Sequence, residues 1–441
     1  MRTLIYELAQ LVSQGLLVWW AWNALIWWKA HQLEAKAVSA SGVKRQWHAQ
    51  SPQDCPVCRA GHGQCEPLPK RAVEAWRGRG GKRGRPKAIA TEGHGCTNPA
   101  CRYYLVTDSH VHALVGDGVH HGRDAIQYFK CQACGTKVSA RYNTPMYDLK
   151  TPVQRVDEVT TALSEGVDVS AAQRIFKHDE RTIQRWLERV GEHGQRAHHR
   201  FFHDLVCHHL QLDELVTKLR GGAEFVYVWV ALDAHTKIIP VIHVGRRKRE
   251  DAMRFVHEIW QRLSTSVLPV FTTDGLRLYF YALTAHFGQW VNQPGQRWPV
   301  WQVDPNLLYG QLHKVKSGYR LKHMYTQAVL GTREQLRQAL NALHLTGRIM
   351  SAYVERVNLT LREHIAPLSR RTWSLARNEA SLRAYLEWGR AYYHFCRPHH
   401  SLRVSTAVPG RYRARTPAMV AGLTHRRWRV STFLLMPLLP A

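Results

Sequence analysis

The sequence predicts a multidomain α/β protein: a small cysteine-organised β unit, then a helical module, then a domain built on a mixed sheet. Three observations carry that prediction. Paired cysteines bracket residues 96–134, apolar residues recur at helical spacing over 152–193, and residues 205–400 read as strands first and helices later. The length of 441 residues suits about two to four domains. Lys and Arg number 61 against 33 Asp and Glu, a formal charge of +28. A globular chain this basic points to a polyanionic partner, because neutralising phosphates releases counterions. Nine cysteines, an odd number at close spacings, point to reduced thiols and zinc instead of a disulfide framework.

Residues 1–40 read as one long helix. No charged residue lies between Glu7 and Lys29, and Trp19, Trp20, Trp22, Trp27 and Trp28 crowd the apolar run. Gln10, Ser13, Gln14 and Asn23 interrupt it, and its flanks make a poor signal peptide. Self-association or packing, contact with a membrane, and a start codon placed too early all stay open, with membrane contact not favoured.

Residues 41–95 form a loop-rich linker. Cys55, Cys58, His62 and Cys65 have the residue types of a zinc site at cramped spacing, or are surface thiols in a loop. Arg83-Gly84-Arg85-Pro86 resembles an AT-hook, in which two Arg side chains enter an A·T minor groove; a basic linker that touches phosphate is the plainer reading.

Residues 96–150 read as a zinc ribbon. Cys96 and Cys101 are followed after 29 residues by Cys131 and Cys134, and four thiolates in two close pairs can surround one tetrahedral zinc. Zinc then supplies the stability that so short a unit cannot draw from a core. Four thiolates leave no open position, so the role is structural.

Residues 151–196 read as a helix-turn-helix. PVQRVDEVTTALSEG makes the first helix, Ser170 is expected to cap a second, and ERTIQRWLERV makes a third. Ile175, Phe176, Ile183, Trp186 and Leu187 supply an expected small core. Thr182, Gln184 and Arg185 would then lie near the exposed start of a recognition helix, where bases are read in the major groove. An ordinary helical bundle is the alternative.

Residues 205–400 hold the chemistry. LQLDEL is an alternating run in which Asp213 and Glu214 point to opposite faces, so only Asp213 is expected to face a site. Two further strands follow, joined by a turn that Asp233 is expected to serve, then a helix and the buried strand VLPVFTTDG ending in Asp274. Three antiparallel strands, a helix and a strand ending in Asp is the ribonuclease-H-like order, in which the first and fourth strands are neighbours. A third carboxylate is needed to hold two hard cations, and Glu355 fits, on a helix with Asn358 one turn on and Arg362 two turns on. Mg²⁺ or Mn²⁺ ions held by such acids can activate an attacking oxygen and stabilise a leaving one, so no protein nucleophile is required.

At these residues the chain resembles the DDE transposases of the insertion-sequence-one family, especially its longer single-protein branch. The likeness covers roughly residues 95–430 and rests on the paired cysteines, DERT at 179–182, LDEL, TDG, AYVERVNLTLREHIAPLSRR, YHFCRPHHSLR and RTPAMVAGLT. It implies that Asp213, Asp274 and Glu355 are the catalytic triad, that Mg²⁺ is the cofactor, and that the substrates are the inverted-repeat ends of the element and target DNA. The partners expected are double-stranded DNA and further copies of the chain as a homo-oligomer, in the cytoplasm with the nucleoid. The interval from Asp274 to Glu355 is long for the compact members, so about 285–345 reads as an insertion, with Trp290, Trp298 and Trp301 among basic residues. Residues 401–441 read as a basic tail. A transposase-derived DNA-binding regulator without catalysis is the alternative function.

Overall fold

A computed structural model gives the fold and describes residues 73–76 and 89–438, apart from 319, 344, 346 and 409. The helix expected over 1–40, the candidate ligands Cys55, Cys58, His62 and Cys65, and Arg83 and Arg85 lie outside the described residues. The chain divides into two compact units, one of Met1–Pro67 with Ser264–Leu268 and one of Leu68–Leu263 with Pro269–Ala441; every element named below belongs to the second.

Strands β1 (Leu114–His121), β2 (Ala125–Cys131) and β3 (Lys137–Ser139) form an antiparallel sheet in that order. Tyr103, Leu114, Phe129 and Val138 pack with Cys96, Cys101 and Cys131 into a small core. Three helices follow: α1 (Val153–Ser164), α2 (Val169–Phe176) and α3 (Glu180–Phe201). Their starts follow the sequence pattern, with two local differences. Asp168, not Ser170, caps α2 by accepting from the Ala171 N–H at 2.7 Å, while Ser170 donates to Glu180. Ala172 sets the buried face of α2 and Ile175 lies off it, 59% exposed, so Ile175 is not core; Ile183, Trp186 and Leu187 are. Helix α3 runs on to Phe201, past the expected end, because Val190, Ala197 and His198 continue its buried stripe.

The central sheet holds β4 (His209–Lys218), β5 (Phe225–Asp233) and β6 (Ile242–Gly245), each antiparallel to its neighbour. Asp233 is fully buried and accepts from the N–H and hydroxyl of Thr236, both at 2.7 Å, so it closes the turn as expected. Helix α4 (Arg249–Arg262) leads to β7 (Val270–Asp274), which lies parallel beside β4. Helix α5 (Arg277–His286) and a small hairpin of β8 (Gly288–Val291) and β9 (Val300–Val303) follow. Strand β10 (Tyr309–Ser317) pairs parallel with β7, and β11 (Arg320–Leu330) pairs antiparallel with β10. The sheet order is β11-β10-β7-β4-β5-β6. The segment expected as an insertion therefore contributes two strands to the central sheet.

Helix α6 (Arg333–Ala342) buries Leu336 and Leu340 against Val270, and α7 (Ala352–His364) covers β4 and β5. On the other face Trp229 of β5 meets Phe255 of α4 and Tyr279 of α5, at ring-centroid distances of 5.8 and 5.5 Å. Helix α8 (Glu379–Ala391) lies along α3 and passes into a π-helical turn at Tyr392–Cys396. The residues expected as a basic tail fold back on the helices: Phe433 and Leu434 are fully buried, and Trp428 stacks on Phe395 at 4.3 Å. Among the described residues no helix is long and apolar enough to cross a membrane.

Candidate metal centres and nucleic-acid interface

Cys96, Cys101, Cys131 and Cys134 come together with their sulfurs within 4.8 Å of one another. Cys96 and Cys134 are 3.5 Å apart, Cys101 and Cys131 3.9 Å. A tetrahedral zinc with bonds of about 2.3 Å sets its sulfurs about 3.8 Å apart, so the cluster could hold zinc with little adjustment. Burial pushes the Cys96 and Cys101 thiols up; at Cys134 burial also raises the thiol, but hydrogen bonds with Thr136, Cys96 and Cys101 together outweigh it and bring it down to about 6. A bound dication would offset the burial cost of ionising Cys96 and Cys101. Gly135, with φ +77°, turns the chain back after Cys134 as the sequence requires.

The acidic centre lies where β4 and β7 end side by side. The parallel register sets His209 against Val270 and Gln211 against Thr272, which carries Asp213 level with Asp274 on one face. Asp213, Glu214 and Asp274 have carboxylate oxygens within 4.8 Å of one another. Glu214 was expected to face away, and its neighbour across the sheet, Trp229, is indeed on the α4–α5 face. Asp274, however, stands at the strand's end, where acids from both faces reach it. Glu214 is held there by the Tyr279 hydroxyl at 2.9 Å and by Arg247 at 2.8 Å.

Burial, then the Glu214 charge, then Asp274 and Glu355 push the Asp213 carboxyl up to about 7. Burial and Asp274 also raise Glu214. The Asn358 amide donates to Asp213 Oδ2 at 2.8 Å from α7. That helix is fastened to β4 by Gln211, whose amide donates to the Met350 carbonyl while its oxygen accepts from the Val354 N–H, at 2.8 and 2.9 Å. Gly275 after Asp274 leaves room for the His313 ring; a Cβ there would lie 2.6 Å from His313 Nδ1.

Glu355 stands outside the close set. Its carboxylate accepts from Ser351 and pairs with Lys314 of β10, although its charge is felt at Asp213. The departure has a simple cause: β10 is a sheet strand, and it brings a cation to the third acid. Arg362 is half-buried and within electrostatic reach of Asp213 and Arg370.

On α3, Arg185 is exposed and Thr182 half-buried. Gln184, expected near the exposed start of the helix, donates instead to Ser381 of α8 at 3.1 Å and to Glu188. Sequence reasoning also missed Trp373, which is wholly exposed beside Arg371. The available signal was the run Arg370-Arg371-Thr372-Trp373 in a segment without helical spacing.

Compared with families of known proteins and with curated sequences, the chain matches none significantly.

Proposed function

We propose that the chain is a DDE-type DNA transposase with a ribonuclease-H-like catalytic domain, a zinc ribbon and a helix-turn-helix. The observation that carries the reading is the meeting of Asp213 and Asp274 on adjacent parallel strands, in a protein of charge +28. The strand order, with three antiparallel strands, then β7 parallel beside the first and β10 parallel beside β7, is consistent with it.

The acids suit Mg²⁺ or Mn²⁺. They are hard oxygen donors, and burial, with the neighbouring Glu214, Asp274 and Glu355 charges adding to it, raises the Asp213 carboxyl at a site that a bound cation would relieve. Asp213 and Asp274 would hold the ions, with Glu355 as the third acid and Glu214 in reserve behind them. Divalent ions bound there would activate water or a DNA 3′-hydroxyl and stabilise the leaving oxygen of the phosphodiester. The chain's own residues position and charge the site. Asn358 orients Asp213, Gln211 fixes the helix that carries Glu355, and Lys314 holds Glu355 until DNA or metal competes for one of the pair. Arg362, Arg370 and Arg371 supply cations for phosphate. Thr182 and Arg185 remain the candidates for reading bases from α3, since Gln184 is engaged with α8.

Asp213→Ala and Glu355→Ala should each abolish cleavage and joining of inverted-repeat DNA in Mg²⁺ while leaving end-binding intact. Cleavage that survives both changes would refute the assignment. The engagement of Glu355 by Lys314 favours one other reading, a transposase-derived DNA-binding regulator, and wild-type protein that binds ends specifically yet stays inert in Mg²⁺ and Mn²⁺ would establish it.

A further inference from the structure

The β10–β11 ribbon leaves the acidic centre and, beyond Lys314, carries a surface that catalysis does not use. Between Asp304 and Glu334 there is no acidic residue, while Lys314, Lys316, Arg320, Lys322 and Arg333 are all basic. His313 and Tyr325 are cross-strand partners, and their rings stack at 4.7 Å and 5°. His323, two residues before Tyr325 on the same face, adds a third ring at 6.2 Å and 30°. Tyr325 is 49% exposed and Met324 is 55% exposed. The row begins where His313 crosses Gly275, next to Asp274, and Lys314 beside it reaches Glu355. Lys322 is the extra residue of a bulge opposite Val315 and Lys316.

Building on the transposase reading, we infer that this ribbon binds an unpaired DNA strand, with a base stacked on Tyr325 and the backbone led past the lysines toward the acids. Charge identifies the occupant: a ribbon without acids, in a chain this basic, repels a second copy of itself and attracts phosphate. The rings identify the strand. Every base has a π-face, and aromatic side chains beside cations are how single strands are held without sequence preference. Within a duplex the bases are stacked on one another, so Tyr325 gains a partner only where pairing has opened, as at a strand end.

The test uses the full chain without added divalent cation and two DNA probes: a blunt duplex, and the same duplex with a short single-stranded overhang carrying a fluorescent purine analogue. Wild-type protein should prefer the overhang and quench the analogue. Tyr325→Ala should lose about tenfold in affinity for the overhang and lose the quenching, with blunt-duplex binding unchanged; Tyr325→Phe should keep both. Lys322→Ala should weaken both probes and lower the salt slope by about one. Overhang affinity unchanged in Tyr325→Ala overturns the inference. So does a Tyr325→Ala chain that keeps DNA binding but loses self-association, which assigns the face to a second copy. Because nothing is cleaved, the outcome is independent of the acid substitutions: an active Asp213→Ala refutes the catalytic reading with the ribbon untouched.

Discussion

His198 is fully buried between α3 and α8, and its partners fix its protonation. The Ile239 N–H donates to His394 Nε2 at 2.9 Å, which leaves His394 Nδ1 to carry the proton and donate to His198 Nε2 at 3.1 Å. His198 Nδ1–H then donates to Glu387 at 2.9 Å, and Arg390 completes that carboxylate. Both rings are satisfied while neutral, and a second proton on either has no acceptor. Burial, with Arg390 nearby, holds His198 down to about 3, and burial holds His193 down to about 3 beside Phe433. The unfolded chain takes up these protons near pH 6.5, so stability is full above that pH and falls as pH drops toward 3. Denaturant unfolding at pH 7.5 and 5.5 should differ by about 1.4 kcal/mol for each of the two histidines. His193→Leu should shrink the difference by its own share, about 1.4 kcal/mol; an unchanged difference would show that His193 titrates normally. At the same scale, the acidic centre was partly legible. Strand alternation and the Thr273-Asp274-Gly275 turn place Asp213 with Asp274. Alternation also puts Glu214 on the opposite face, correctly, but says nothing of a strand end where both faces converge.

Among the elements, the three-stranded unit is where a bound zinc would matter most. Its core is a few side chains around the cysteines, too little apolar surface to offset the chain entropy of its loops. Removing metal with a chelator, or Cys131→Ser, should open β1–β3 to proteolysis while the central sheet stays protected; a unit that stays protected in metal-free protein would show that zinc is dispensable. The cysteine spacing made this unit readable. Strands β10 and β11 were unreadable for a physical reason: their outer portions bury neither face, so no apolar alternation marks them. The misplacement of Glu355's surroundings follows from that, because Lys314 sits on a strand the pattern does not reveal. Helix α3 was legible in its start, since Asp179 caps it by accepting from the Arg181 N–H. Its outward face was not, since Gln184 turns toward a helix nearly two hundred residues further along the chain.

Over the whole molecule, the last residues close the assembly that the first helices begin. The Asp157 carboxylate of α1 accepts from the Ser431 N–H at 2.8 Å, and the Asn143 carbonyl accepts from the Leu438 N–H at 3.1 Å. Phe433 reaches His193 of α3 at 5.0 Å and Trp388 of α8 at 5.4 Å. The tail is thus a fastening between the helical module and helix α8, and its arginines are carried on the outside of an anchored segment: Arg426, Arg427 and Arg429 are exposed around buried Trp428. Charge dominated the sequence signal and hid the apolar positions between. Phe433→Ala should cost about 3–5 kcal/mol, the cost of deleting a buried aromatic side chain whose site cannot collapse. The urea midpoint should fall accordingly, whereas Arg427→Ala should leave it in place and act only on the salt dependence of DNA binding. An unaltered midpoint in Phe433→Ala would mean that the tail rests on the helices without supporting them.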